Sequence, residues 1–228
     1  MGDDSKRIGS GKKRALPGRL TGYAAAFGER FLRLEQHGQV HLKGRGGIWY
    51  VYDYYKDGDE RSPSKEEAER IRNLRAFLDG DRKYYPYFYT LFARAIRQVL
   101  WITKLMGTFE LVSVPRSDPD ELNPVAEVCR AIAGNEKFLL ARAIDGSGLI
   151  KRMNKMRPVH RGGRYTTQQI KENLALTRPL KAKKVILVDD MVFSGKTIAA
   201  CSRLLKENGA AKVCAVCLYG YKRTEKKK

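Results

Sequence analysis

The sequence predicts an α/β fold, a parallel central sheet flanked by helices, with an N-terminal hood or extension before it. Three observations predict it. In the second half of the chain, strand-length apolar runs alternate with helical stripes, the pattern of strand–helix–strand units whose sheets are parallel. The run Val185, Ile186, Leu187, Val188 is apolar without alternation, as in a strand covered on both faces. Two acids, Asp189 and Asp190, follow it directly, and a glycine-containing turn then leads into a helix. Open α/β sheets bind ligands at that place, beyond the carboxyl ends of their strands.

Each element has its own local reason. Residues 1–20, rich in Gly, Ser, Lys and Arg, read as a basic flexible arm. Residues 21–108 read as a helical and β extension. Within it a short helix is expected at 24–34, and the aromatic and β-branched stretches 39–42 and 48–55 are expected as strands separated by the glycines of 44–47. Ser64 with Glu66 and Glu67 opens a helix to about residue 78, ended by Gly80, and a second apolar helix spans about 85–105. Residues 109–221 form the expected core. A strand at 109–114 leads to a helix at 120–132 with Leu122, Val125, Val128, Cys129 and Ile132 on one stripe. A strand at 138–144 follows, then a long mobile loop at 146–170, acid-free and with little periodicity. The strand at 185–188, a helix bearing Ile198, Cys201, Leu204 and Leu205, and a strand at 213–218 complete the core. Residues 222–228 form a basic tail.

Composition narrows the function classes. The longest apolar runs fall far short of the roughly 18–20 residues of a membrane span, and residues 1–20 hold no apolar run of signal-peptide length. A cytoplasmic location is therefore expected. Four cysteines in 228 residues are too few for a disulfide scaffold. Cys214 and Cys217 spell C-x-x-C, but in an extended run positions three apart point to opposite faces, against a zinc or redox pair. The formal charge is +20, a field that favours polyanions such as nucleic acid or phosphorylated ligands.

The segment 185–197, VILVDDMVFSGKT, carries the chemistry. Adjacent carboxylates repel one another unless hydroxyl donors or a cation accompany them. The turn after them offers hydroxyls on Ser194 and Thr197, a glycine that permits close backbone approach, and a helix start whose N–H groups favour phosphate. Acids for hydroxyls and amides for phosphate together describe a ribose 5-phosphate. A nucleotide P-loop is excluded, because the position five before Gly195 is Asp190 where that motif needs glycine.

With four apolar residues, two acids, two apolar residues and a short loop ending in Gly-x-Thr, the segment resembles the signature of the type I phosphoribosyltransferases. Residues 111–133 further resemble the ComF-like branch of that family. The resemblance implies that Asp189 and Asp190 hold the ribose hydroxyls of phosphoribosyl pyrophosphate (PRPP). Val192, Phe193, Ser194, Gly195, Lys196 and Thr197 would wrap its 5-phosphate; Phe193 stands where many members have threonine. By the same resemblance Ser113, Val114, Pro115 and Arg116 form the pyrophosphate loop, and Gln168, Gln169 and Asn173 match the polar positions that close a flexible loop. On the 146–170 loop, Lys151, Arg152 and Arg157 are expected to meet pyrophosphate, Arg152 as a catalytic cation, with no general base assigned beyond the loop's His160. Mg²⁺ is expected through PRPP and water near Asp189 and Asp190, with no direct protein cage. The implied function is transfer of the phosphoribosyl group, with release of pyrophosphate, to an acceptor that the sequence does not identify. The alternatives are a non-catalytic PRPP sensor that binds nucleic acid, or the effector of a ribonucleoprotein or defence module. RNA or DNA would bind through the basic arm and tail, and a homo-oligomer is a further expected partner.

Overall fold

The computed structural model describes residues 42–45, 47–54, 63–135, 141–157 and 163–221. The expected arm, the helix at 24–34, His160 and the tail lie outside the described residues, as do positions 39–41, 55 and 138–140 of expected strands. β1 (Lys43–Arg45) and β2 (Ile48–Tyr54) precede α1 (Lys65–Leu78) and α2 (Tyr85–Thr103), which a 3-10 turn connects (Arg82–Tyr84). β3 (Phe109–Ser113), α3 (Pro124–Ala133) and β4 (Ala143–Asp145) follow. Next come β5 (Ile150–Arg152), α4 (Thr167–Glu172) and β6 (Leu174–Leu176), then β7 (Lys184–Val192), α5 (Lys196–Glu207) and β8 (Lys212–Tyr221).

Local chemistry sets the helix boundaries. At α1 the Ser64 hydroxyl accepts from the Glu67 amide at 3.2 Å and the Glu67 carboxylate accepts from the Ser64 amide at 2.7 Å, a reciprocal cap. α3 starts four residues later than the expected 120, because proline is at home only in a first turn and Asn123 caps the helix just before Pro124. Leu122, expected on the buried stripe, is therefore off the helix and 55% exposed.

Six strands form one sheet in the order β1-β2-β8-β7-β3-β4, all parallel except β1. Its three central strands are apolar on both faces. Phe109 and Leu111, Ile186 and Val188, and Cys214, Val216 and Leu218 pack into one core with α1, α2 and α3. Val112, Val185 and Leu187, and Ala215 and Cys217 pack into the other with α5, α4 and the β5–β6 pair. A sheet so covered reads as a continuous apolar run, which is the pattern of 185–188. Cys214 and Cys217 fall into opposite cores. β2, α1 and α2, from the segment expected as an extension, contribute a strand and two covering helices to this architecture.

The expected loop at 146–170 is corrected in part. It contains β5, antiparallel to β6 (Ile150 opposite Leu176, Arg152 opposite Leu174), and the start of α4. Elements of three and six residues are too short to display a period. The side chain of Asn173 closes them: it donates to the Asn154 carbonyl and accepts from the Asn154 amide, both at 2.7 Å.

Chain direction reverses at one point in the sheet. From β3 the chain crosses by α3 to β4 on one side, and from β7 it crosses by α5 to β8 on the other, over the opposite face. The carboxyl ends of β3 and β7 therefore diverge around a crevice, the preferred ligand position of such sheets. Among the described residues no helix is long and apolar enough to cross a membrane.

Candidate active site

The crevice is built around the end of β7. The expected strand 185–188 continues to Val192, with Asp189 opposite Cys217 and Val192 opposite Gly220 of β8. The two acids thus belong to the ladder itself. The Asp190 amide donates to Asp189 Oδ1 at 3.0 Å. Burial raises the pKa of Asp189 well above the ordinary carboxylate range, and the charge of Asp190 and a hydrogen bond between the two carboxyls raise it further. Arg152 opposes this with its positive charge but does not cancel it.

Beyond Val192 the chain turns at Gly195, whose φ of 71° and ψ of 0° lie in the left-handed region that glycine adopts without a side-chain penalty. α5 begins at Lys196 with no side-chain cap, so its first N–H groups point into the turn. A shallow cleft of about 60 Å³ opens there, lined by Asp189 and residues 191–198. An α-helix start with uncapped amides is a ready anion site. Phe193 packs edge-on against Tyr54, ring centroids 5.4 Å apart, and tilted against Tyr221 at 5.7 Å. That aromatic packing joins the turn to the ends of β2 and β8.

Arg152 is brought to this site. Its side chain, 7% exposed, donates from Nε to the Arg116 carbonyl at 2.9 Å and from Nη1 to Met156 Sδ at 2.8 Å. It stands close enough to Asp189 for each charge to act on the other. Burial pushes the guanidinium pKa down, and the buried Cys201 thiol beside the pair is pushed up to about 12, so that thiol is no nucleophile near neutral pH. The segment after Arg152 also reaches the cleft: Lys196 Nζ donates to the Tyr165 carbonyl at 3.0 Å, and the Arg157 amide donates to the Tyr165 hydroxyl at 3.3 Å. Gly163 makes the close approach possible, since a Cβ there would lie 2.2 Å from the Arg157 carbonyl oxygen. Lys151 is exposed and neighbours Arg152 on β5, so its side chain leaves the opposite face of the pair.

The stretch 113–116 stands at the crevice edge, and much of it is engaged by other parts of the chain. Ser113 is buried and its hydroxyl donates to the Ser147 carbonyl at 2.5 Å. The Val114 amide donates to the Val188 carbonyl at 2.9 Å, and Pro115 has no amide hydrogen. Arg116 donates from Nε to Glu121 at 3.0 Å and from Nη1 to the Leu78 carbonyl at 3.1 Å. Most of these partners are remote in sequence, Leu78 lying 38 residues from Arg116 and Ser147 34 from Ser113, which is why the segment alone does not reveal them. Gln169 is likewise committed to a capping box with Thr166, and Gln168 donates to Glu172 at 2.9 Å. Among the described residues no group of three or more His, Cys, Asp or Glu side chains forms a metal cage. Asp189 and Asp190, two carboxyls whose mutual repulsion a cation would relieve, fit the habit of Mg²⁺ to take one or two carboxylates and keep its waters. Missed at the sequence level were Tyr165, a loop residue with no periodic signal, and Asn154.

Residues 154–228 match the family model of the phosphoribosyl transferase domain. A purine phosphoribosyltransferase from Pyrococcus horikoshii Ot3 is a structural neighbour at 18% sequence identity, with 61% of this chain and 85% of that chain covered and a TM-score of 0.29. No curated protein matches the chain.

Proposed function

We propose that this chain, with a phosphoribosyl transferase domain over its carboxyl-terminal third, is itself a transferase that binds PRPP with Mg²⁺, transfers its phosphoribosyl group to an acceptor and releases pyrophosphate. One observation carries the reading: an acid pair at the switch point of the sheet stands next to a glycine turn and an uncapped helix start. Asp189 and Asp190 accept from the ribose 2- and 3-hydroxyls. The turn 192–197 receives the 5-phosphate on main-chain amides and the hydroxyls of Ser194 and Thr197. As the bond from C1 to pyrophosphate breaks ahead of the new bond to the acceptor, the transition state carries positive charge on the ribose ring and negative charge on the departing group. Arg152 and Arg157 supply countercharge on that side, with Arg152 also positioning the Arg116 loop through its carbonyl, while Lys151 points from the opposite face of β5. Mg²⁺, held at Asp189 and Asp190 through water and substrate, would neutralise pyrophosphate as it leaves.

A second reading rests on the +20 charge: a PRPP sensor whose basic arm and tail bind RNA or DNA. The discriminating experiment incubates the full chain with PRPP labelled in the ribose, Mg²⁺ and a cell extract, and measures pyrophosphate release and the labelled product. The transferase reading expects release that disappears in the double variant Asp189→Asn, Asp190→Asn. PRPP binding without release against any nucleobase, nucleotide or macromolecular acceptor overturns it in favour of the sensor.

A further inference from the structure

The opposite end of the sheet carries a surface that the transfer reaction does not use. β7 runs from Lys184 to Val192, and Lys184 lies five residues before Asp189, so this end stands roughly 17–20 Å from the acid pair at about 3.3 Å per residue. Three segments make it: the last turn of α2 with its exit, residues 97–109; the approach to β7, residues 179–184; and the turn into β8, residues 208–213. Together they hold six basic residues, Arg97, Lys104, Lys181, Lys183, Lys184 and Lys212, and no acid.

Side-chain contacts draw the three segments together. Lys212 Nζ donates to the Thr103 carbonyl at 2.8 Å and Lys184 Nζ donates to the Met106 carbonyl at 2.6 Å. Each ammonium has three donors, so these bonds hold the positive charges in place and leave hydrogens for an anion. Lys104, at the left-handed exit of α2 with φ of 51°, and Lys183 are exposed beside them. Two neighbouring carboxylates are already engaged: Glu110 is buried against Arg178 at 2.5 Å, and Glu207 pairs with Lys171 at 2.6 Å.

At the end of α2 stands Trp101, 71% exposed, with Ile102 at 43% and Met106 at 44% close by in the chain; Arg97 and Lys104, four residues before and three after it, share its side of the helix. An indole held on a rigid helix among lysines has the two parts that single-stranded nucleic acid requires: a flat apolar face for a base, and cations spaced for the phosphates on either side. A hydrophobic protein partner would not call for the lysines, and a simple anion site would not call for the indole. We propose that this end of the sheet is a single-stranded nucleic-acid surface on which Trp101 stacks a base while Lys104, Lys183, Lys184 and Lys212 meet phosphates.

The chain has two tryptophans, which makes the test direct. In the full chain carrying Trp49→Phe, indole emission, excited where tyrosine does not absorb, comes from Trp101 alone, and it is followed as a roughly 15-nucleotide oligo(dT) or oligo(U) is added. The emission is expected to be quenched in step with the anisotropy of a labelled oligonucleotide. Trp101→Ala weakens binding about 5- to 150-fold. Lys104→Gln with Lys183→Gln lowers the slope of log affinity against log salt by about 1.4, at about 0.7 for each phosphate contact removed. Any of four results overturns the proposal: anisotropy rising without quenching and unchanged by Trp101→Ala, which places binding elsewhere in the chain; tighter binding to duplex than to single strands; a Trp101-dependent dimer in sedimentation without oligonucleotide; or no binding at low salt.

Discussion

Gly195 is where backbone geometry and ligand binding can be separated by one substitution and one control. In Gly195→Ala the new Cβ stands at φ of 71° and 3.3 Å from Ile48 Cδ1. A non-glycine residue in the left-handed region costs about 1–2 kcal/mol, and the Ile48 methyl, at the end of a flexible chain, can give by the few tenths of an ångström required. For a chain of this size about 1 kcal/mol lowers Tm by about 2–4 °C, so a fall of about 2–8 °C is expected. Gly209→Ala supplies the control: its φ is 97° with nothing within 4 Å of the added Cβ, so it carries the same backbone cost far from the cleft. The two variants are then melted with and without PRPP and Mg²⁺. Ligand at one hundred times its Kd stabilises by about 2.7 kcal/mol, and the control keeps this gain. Gly195→Ala shifts the turn proposed to receive the 5-phosphate, and a tenfold loss of affinity reduces its gain to about 1.4 kcal/mol. Equal ligand-induced shifts in the two variants would refute the assignment of this turn to phosphate.

Two further predictions concern the acids and the adjoining loop. Asp189 has its pKa raised by burial and by Asp190, so it favours the folded state when protonated; that contribution is full below the unfolded value of about 3.9 and is lost as pH rises through the folded pKa. Asp189→Asn, a mimic of the protonated form, is therefore more stable than the parent in urea at pH 8, with the difference closing toward pH 3.5; lower stability at pH 8 contradicts the reasoning. Asn173→Ala removes two hydrogen bonds of 2.7 Å to Asn154, worth about 0.5–1.5 kcal/mol each. Amide exchange at Asn154 accelerates accordingly, by about 5- to 150-fold, and unchanged protection would show that the clamp contributes nothing.

Legibility in the sequence followed the physics of each signal. β3, β7 and β8 are recognisable because a strand covered on both faces must be apolar at every position, and Val185 to Val188 can be little else. The same criterion cut β7 short. Asp189 and Asp190 interrupt the apolar run while the backbone ladder continues to Val192, since hydrogen bonding between strands does not depend on side-chain polarity. The acid pair and the Gly195 turn stand out in the sequence because adjacent carboxylates and a glycine just before a helix start need a reason to be there. The fate of Ser113 and Arg116 was not, because a donor's partner is set by tertiary distance: Ser147 and Leu78 come from remote parts of the chain. β5, β6 and α4 were hidden by brevity, and what stabilises them is a side-chain clamp from Asn173 rather than a periodic face.

That the acids ride inside the β7–β8 ladder has a mechanical consequence. On a loop, two like charges in contact would drift apart until water separated them. Here the main chain on each side is tied to β8, with Asp189 opposite Cys217 and Met191 opposite Tyr219, and the pair has nowhere to retreat. Held in place by the ladder, the pair relieves its repulsion by keeping a proton on one carboxyl, shared through the hydrogen bond between the two, rather than by moving apart.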